Sequence, residues 1–170
     1  MIIAEAGIYR KIFQYMNNFS VLVKMDGIRY FCVVITNLLN NKTMRANIEA
    51  YKAVEEAAMK FVKSVAEGNS KYAKELFIDE AVLFGYLDGK LEHGSIEQFY
   101  RNVDTVGAGD DFKARVDVVD VEETLAVVRV LEEKWGGRID FTDYLLLMKM
   151  GGEWRCVAKA YNQNSNTIQK

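Results

Sequence analysis

Residues 124–161 read TLAVVRVLEEKWGGRIDFTDYLLLMKMGGEWRCVAKAY, and their punctuation decides the fold. Three runs rich in aliphatic and aromatic residues, Thr124 to Trp135, Ile139 to Met150 and Trp154 to Tyr161, are separated only by Gly136-Gly137-Arg138 and Gly151-Gly152-Glu153. Connections this short cannot carry a crossover, so consecutive strands must be antiparallel neighbours. Phe112 to Val121 joins them through Glu122-Glu123, which predicts a four-stranded meander. With three-residue turns, Trp135 opposes Ile139 and Met150 opposes Trp154. Alternation then puts Val128, Val130, Tyr144, Leu146, Met148, Trp154, Cys156, Ala158 and Ala160 on one face. Val127, Arg129, Leu131, Asp143, Leu145, Leu147, Val157, Lys159 and Tyr161 share the other. Both faces are largely apolar, whereas an antiparallel sheet normally gives one to water. Helices can cover one of them, and a second copy of the chain, packed by two-fold symmetry through the sheet, is the expected cover for the other.

Upstream of the meander, Ile48, Tyr51, Val54, Ala58, Phe61, Val62 and Val65 recur at helical spacing before the stop signal Gly68, predicting a helix over 46–67. Asn69 or Ser70 can cap a second, short helix carrying Tyr72, Ala73, Leu76 and Phe77 and ending near Asp79. Ala81 to Tyr86 reads as a strand, Asp88-Gly89 as a hairpin turn and Lys90 to His93 as its return. Ser95 followed by Gln98 reads as a capping box opening a third helix with Ile96, Phe99, Tyr100 and Val103. Thr105 to Asp111 is a loop. Helices first and a long sheet after them make an α+β pattern. The absence of proline fits connections built from Asp-Gly and Gly-Gly turns.

The 170 residues carry 22 Lys+Arg against 24 Asp+Glu, and 50% are hydrophobic, which excludes a disordered chain. A net charge of −2 with no basic cluster gives nucleic acid nothing to bind. Cys32 and Cys156 form no disulfide framework and have no zinc spacing, so a reducing, cytoplasmic compartment and no metal are expected. The longest apolar run, Tyr30 to Leu39, falls short of the ~18 residues of a membrane span, and no membrane partner is expected. Residues 1–43 carry five basic residues (Arg10, Lys11, Lys24, Arg29, Lys42) against Glu5 and Asp26, a balance of +3 that leaves −5 for the rest. Periodicity becomes regular only from Met44, so the chain divides into an extension, 1–43, and a domain, 44–170. The extension reads in three ways: a signal peptide starting near Met25 but lacking a small-x-small cleavage site, a segment packing on the domain, or a stretch outside the natural domain with Met44 as the true start. The sequons at Asn18 and Asn41 matter only in a secretory compartment.

Three stretches carry a resemblance: GYLDGKLEHGSIEQFY at 85–100, DFTDYLLLMK at 140–149 and GEWRCVAKAY at 152–161. Together with the element order they resemble the nuclear transport factor 2-like (SnoaL-like) superfamily, and more narrowly its branch named "putative lumazine-binding", over residues 46–162. The resemblance implies a cone-shaped roll in which three N-terminal helices pack on a curved, mainly antiparallel sheet around a pocket. The superfamily includes ketosteroid isomerases, polyketide cyclases, dehydratases and transport adaptors, so the fold does not settle the activity.

Its enzymes abstract a proton with a pocket carboxylate or His and stabilise the enolate with a donor such as Tyr. His93, the single histidine, is either such a base or a solvent-exposed turn residue. Asp143 interrupts an apolar strand, where an unpaired carboxylate is costly. It reads either as a structural ion pair with Lys159 or Arg129, its diagonal neighbours, or as a pocket acid partnered by Tyr86 or Tyr144. Tyr86, Tyr100, Trp135, Tyr144 and Trp154, with Phe99, either line a pocket for a flat heterocycle or polyketide or belong to the core. The Gly107-Ala108-Gly109 loop lacks a phosphate-binding lysine, and no cofactor is expected. The leading expectation is a small-molecule-binding homodimer with an unknown hydrophobic or heterocyclic ligand. An acid-base lyase or isomerase of SnoaL or ketosteroid isomerase type is the alternative, and a protein-interaction domain the third.

Overall fold

The computed structural model describes residues 47–166, so the basic extension, the Met44 boundary and Cys32 lie outside the described residues. Helix α1 (Ile48–Glu67) opens at Asn47, whose side chain accepts a hydrogen bond from the Ala50 backbone N–H at 2.8 Å. That bond satisfies one of the donors a helix start leaves free. Val54, Ala58, Phe61, Val62 and Val65 form the buried stripe that the helical spacing predicts. Gly68 stops the helix in the left-handed conformation, φ 59°. A side chain is excluded there for a second reason, since a Cβ would lie 2.3 Å from the backbone of Gly107 and Ala108.

Helix α2 (Lys71–Lys74) is shorter than the sequence predicts. The chain turns to strand at Phe77 because the distant C-terminal strand captures it. Cys156 N–H donates to the Leu76 carbonyl at 2.9 Å, and the Arg155 guanidinium donates to the Phe77 carbonyl at 2.9 Å. Strand β1 (Phe77–Leu87) and strand β2 (Lys90–Ser95) then form the hairpin around Asp88-Gly89. Helix α3 (Glu97–Val106) follows, with Ser95 Oγ accepting from the Glu97 N–H at 3.2 Å. The expected capping box does not form: Ile96 stands at the cap position, and the Gln98 carboxamide donates to Glu92 at 3.1 Å. Of the three helices among the described residues, two precede the hairpin and the third follows it.

The meander forms as expected from β3 (Lys113–Val121), β4 (Leu125–Trp135), β5 (Ile139–Met150) and β6 (Glu153–Asn166). Six strands make one curved mixed sheet in the order β2-β1-β6-β5-β4-β3, in which only β1 and β6 run parallel. Two irregularities correct the expected faces. Trp135 does oppose Ile139, but a bulge after Glu132, with Lys134 at φ 60°, slips the pairing by one, so Val130 faces Asp143 and Val128 faces Leu145. At the other hairpin Trp154 pairs with Lys149, and a shift between Leu146 and Leu147 restores Leu145 opposite Lys159 and Asp143 opposite Tyr161. A one-residue slip exchanges faces. Tyr144, Leu146 and Met148 therefore lie on the outer face, exposed, while Val128, Val130, Asp143, Leu145, Trp154, Cys156 and Lys159 are buried on the inner one.

Helices α1 and α3 close over the inner face. Phe61 of α1 stacks on Phe99 of α3 at 5.1 Å, and Phe99 meets Trp135 of β4 at 6.2 Å. Asp104 ties α3 to the junction of α1 and α2 by accepting from both the Ser70 N–H and the Ser70 hydroxyl, each at 2.8 Å. Those two bonds hold its carboxyl below the usual carboxylate range. Among the described residues no helix is long and apolar enough to cross a membrane.

Candidate functional site

The inner face is not filled completely. Between α3 and the strand ends lies a cavity of about 190 Å³. Phe99, Trp135, Phe141 and Tyr161 form an aromatic wall, continued by the aliphatic side chains of Leu83, Leu87, Val106 and Ile139. Its polar groups are the carboxamides of Gln98 and Asn102 and the cations Arg138 and Lys159. Among the described residues no carboxylate lines it. The volume lies below the roughly 300–1,000 Å³ of drug-sized sites, which suits a small molecule or one end of a larger one.

Glycine at 85 places one wall. A Cβ there would lie 2.3 Å from the Tyr161 ring, so the missing side chain lets that ring lie across β1. The Tyr161 hydroxyl then donates to Glu92 at 2.7 Å, on the same oxygen that accepts from Gln98. Burial and this bond push the phenol pKa up, so Tyr161 stays protonated.

Lys159 is the unusual lining residue. It is 5% exposed and is paired with Asp143 Oδ1. Its Nζ sits 4.1 Å from the centre of the Tyr161 ring, 5.2 Å from Phe99 and 5.6 Å from Phe61. An ammonium in such a box is held by one carboxylate and three π-faces. Asp143 is fully buried, and its Oδ2 has no hydrogen-bond partner. Burial raises its pKa and Lys159 draws it back.

A second carboxyl stands close by. Glu132 lies two residues along β4 from Val130, the partner of Asp143, and is 2% exposed. Its Oε1 has no hydrogen-bond partner. Burial first, and the Asp143 charge second, raise its pKa well above the ordinary 4.5, against the pull of Lys159. One ammonium cannot neutralise two buried carboxylates, so the cluster is a Lys159–Asp143 ion pair beside a neutral Glu132. Among the described residues no group of three His, Cys, Asp or Glu is placed to hold a metal.

Of the residues singled out in the sequence, the structure brings together Asp143, behind Lys159, with Trp135 and Phe99, on the cavity wall. The others lie elsewhere. His93 is exposed on β2, its ring stacked on Phe84 at 5.7 Å. Tyr86 and Tyr144 stand about half exposed on the outer face. Tyr100 and Trp154 are buried away from the cavity lining, and burial pushes the Tyr100 hydroxyl up to about 12. Sequence reasoning missed Lys159 as a cavity group, Glu132, Tyr161 and Phe141. Glu132 carried a signal, because it continues the alternation of Val128 and Val130 into the core face.

Residues 49–162 match the protein family described as "Putative lumazine-binding". The chain belongs to this family. It is 34% identical over 112 residues to "Aldolase FrzH" of Cladobotryum sp., covering 66% of this chain and 90% of that protein. Among solved structures, an NTF2-like protein of unknown function from Shewanella baltica OS155 is 27% identical with a TM-score of 0.65, over 70% of this chain and 97% of that one. A ketosteroid isomerase-like protein from Erwinia carotovora atroseptica, 18% identical with a TM-score of 0.58 over 70% and 99% of the two chains, shares the fold. The nuclear transport factor 2-like superfamily expected from the sequence is therefore the chain's own.

The neutral state of Glu132 has a pH consequence. A group whose folded pKa is raised gives stability that is complete below its unfolded pKa, near 4.5 here, and lost as pH rises towards the folded value. Glu132→Gln removes that loss. Its melting temperature relative to the unsubstituted protein should be lowest at pH 4 and rise steadily to pH 7 in thermal unfolding; a difference independent of pH would mean that Glu132 is ionised in the fold.

Proposed function

We propose that this protein binds a small carbonyl compound in the cavity and catalyses acid-base carbon chemistry of the aldol type on it. One observation carries the reading, namely the placing of Lys159, with Asp143 and Glu132 behind it, at the wall of an otherwise apolar cavity. Burying an ion pair costs several kcal/mol per ion, and apolar side chains of the same volume would fill a core more cheaply. A purely structural role leaves that cost without a return. An ammonium facing a bound carbonyl gives one, since it stabilises the negative charge that develops on oxygen when an enolate forms. The aromatic walls suit a flat ligand. The name of the 34% identical relative, an aldolase, supports the same class of reaction. Binding without turnover, the leading expectation from sequence, explains the cavity but not the cluster.

The reading also includes a second copy of the chain on the outer face. Val82, Phe84, Tyr86, Tyr144, Leu146 and Met148 are each at least 37% exposed there. Arg129 and Asp117, paired at 3.7 Å, place both signs of charge on β3 and β4 beside that patch, as a self-complementary surface requires.

Two experiments follow. In deuterated buffer the protein should accelerate exchange of the α-protons of phenylacetone, followed by proton NMR, and Lys159→Met should lower that rate by about 10²-fold or more. The double variant Lys159→Met/Asp143→Leu, which removes both buried charges, should keep or raise the melting temperature and still lack exchange. Full exchange in either variant excludes the proposed reaction. For the outer face, light scattering on a sizing column should give twice the chain mass, reduced to one chain mass by Phe84→Glu/Leu146→Glu; a monomeric parent protein excludes the dimer.

A further inference from the structure

Resting on the carbonyl-binding reading, we infer that Lys159 Nζ acts as a covalent group, forming an imine with the carbonyl carbon of the ligand. Among the described residues, Lys159 is the only lysine that lines the cavity. Exposed lysines such as Lys52 and Lys63 are held in surface pairs with Glu49 and Glu67. Three features of its surroundings fit the successive stages of imine chemistry.

The amine must first lose its proton, and Asp143 Oδ1 is already in contact with Nζ to accept it. Transfer converts two buried charges into two neutral groups, so the desolvation cost of the ion pair offsets part of the cost of moving the proton. Burial also makes Asp143 a stronger proton acceptor than an exposed aspartate. The neutral amine can then attack a carbonyl.

The lone pair of Nζ adds to the carbonyl carbon as the C=O π electrons move to oxygen, which takes a proton to give a carbinolamine. The C–O bond then breaks as Asp143 returns its proton to the hydroxyl, water leaves, and the nitrogen carries the positive charge of a protonated imine. In sum, a carbonyl and a lysine ammonium become an iminium and one water, with charge conserved and no oxidant or reductant. The iminium occupies the position of the resting ammonium, so the same Asp143 carboxylate and the rings of Tyr161, Phe99 and Phe61 stabilise it. As an electron sink it favours transfer of an α-proton to the Asp143 carboxylate in contact with the nitrogen, leaving an enamine, the carbon nucleophile of an aldol addition. Glu132, held neutral beside the pair, adds no second anion to compete for the cation.

The test is reductive trapping of the unsubstituted protein with phenylacetone and sodium cyanoborohydride, read by intact mass and peptide mapping. The expected product is one increment equal to the probe's mass less its oxygen, on Lys159, with loss of α-exchange in step with labelling. Lys159→Arg, which keeps the charge but cannot form an imine, should lose exchange as well. If the protein exchanges α-protons but Lys159 is not labelled, or if Lys159→Arg still exchanges, the imine is wrong and the ammonium alone acts on the carbonyl. If there is neither exchange nor labelling at Lys159, the imine and the carbonyl reading fall together.

Discussion

A single ammonium group shielded from bulk water sets the terms for the inner end of the cavity. Lys159 brings a positive charge into a face otherwise built from Val128, Val130, Leu145 and Cys156, and the surrounding fold is arranged to tolerate it. Asp143 meets it directly, and the rings of Tyr161, Phe99 and Phe61 surround it. Removal of either partner alone would strand a charge in low dielectric. The register of β5 on β6, which sets Asp143 opposite Tyr161 and Leu145 opposite Lys159, is thus fixed by electrostatics as well as by apolar alternation.

The supports of that arrangement lie at some distance from it. The bulge at Lys134 turns the inner phase of β4 so that Val130 and Glu132 share a face with Asp143. The irregularity opposite Leu146 and Leu147 brings Lys159 into the same phase as Trp154 and Cys156. Helix α3, held by Asp104 on Ser70, supplies Phe99, Gln98 and Asn102 to the cavity. Gly85 yields the space in which the Tyr161 ring lies. Bulges and in-strand glycines next to a cavity are where a sheet gives up regular pairing to aim particular side chains.

How much of this was legible in the sequence follows from the same features. The glycine-led connections at 136–138 and 151–153 and the helical spacing of α1 are local signals, and the elements they predict are present. The faces were not legible, because a bulge costs no unusual residue type and yet exchanges every side chain beyond it. Helix α2 was overextended because the pairing of Leu76 and Phe77 with β6 is a contact across nearly eighty residues. Asp143 stood out as a charge in an apolar strand. Glu132 stood out less, because the run Glu132-Glu133-Lys134 reads as a solvated strand end, although its first residue keeps the inward phase of Val128 and Val130. The exposed aromatics Phe84, Tyr86 and Tyr144 carry the same composition signal as those of the cavity, and only the register separates the two sets.

The family and the fold are shared with proteins of different printed names, so the chemistry rests on this chain's own charges. The most direct measurement is the side-chain carboxyl carbon shift of Asp143 and Glu132, followed by NMR across the pH range of the folded protein. An ionised Asp143 paired with Lys159, beside a Glu132 that remains protonated well above 4.5, is the predicted result. A Glu132 that loses its proton near the ordinary 4.5 would contradict it, and would leave two buried anions against one ammonium.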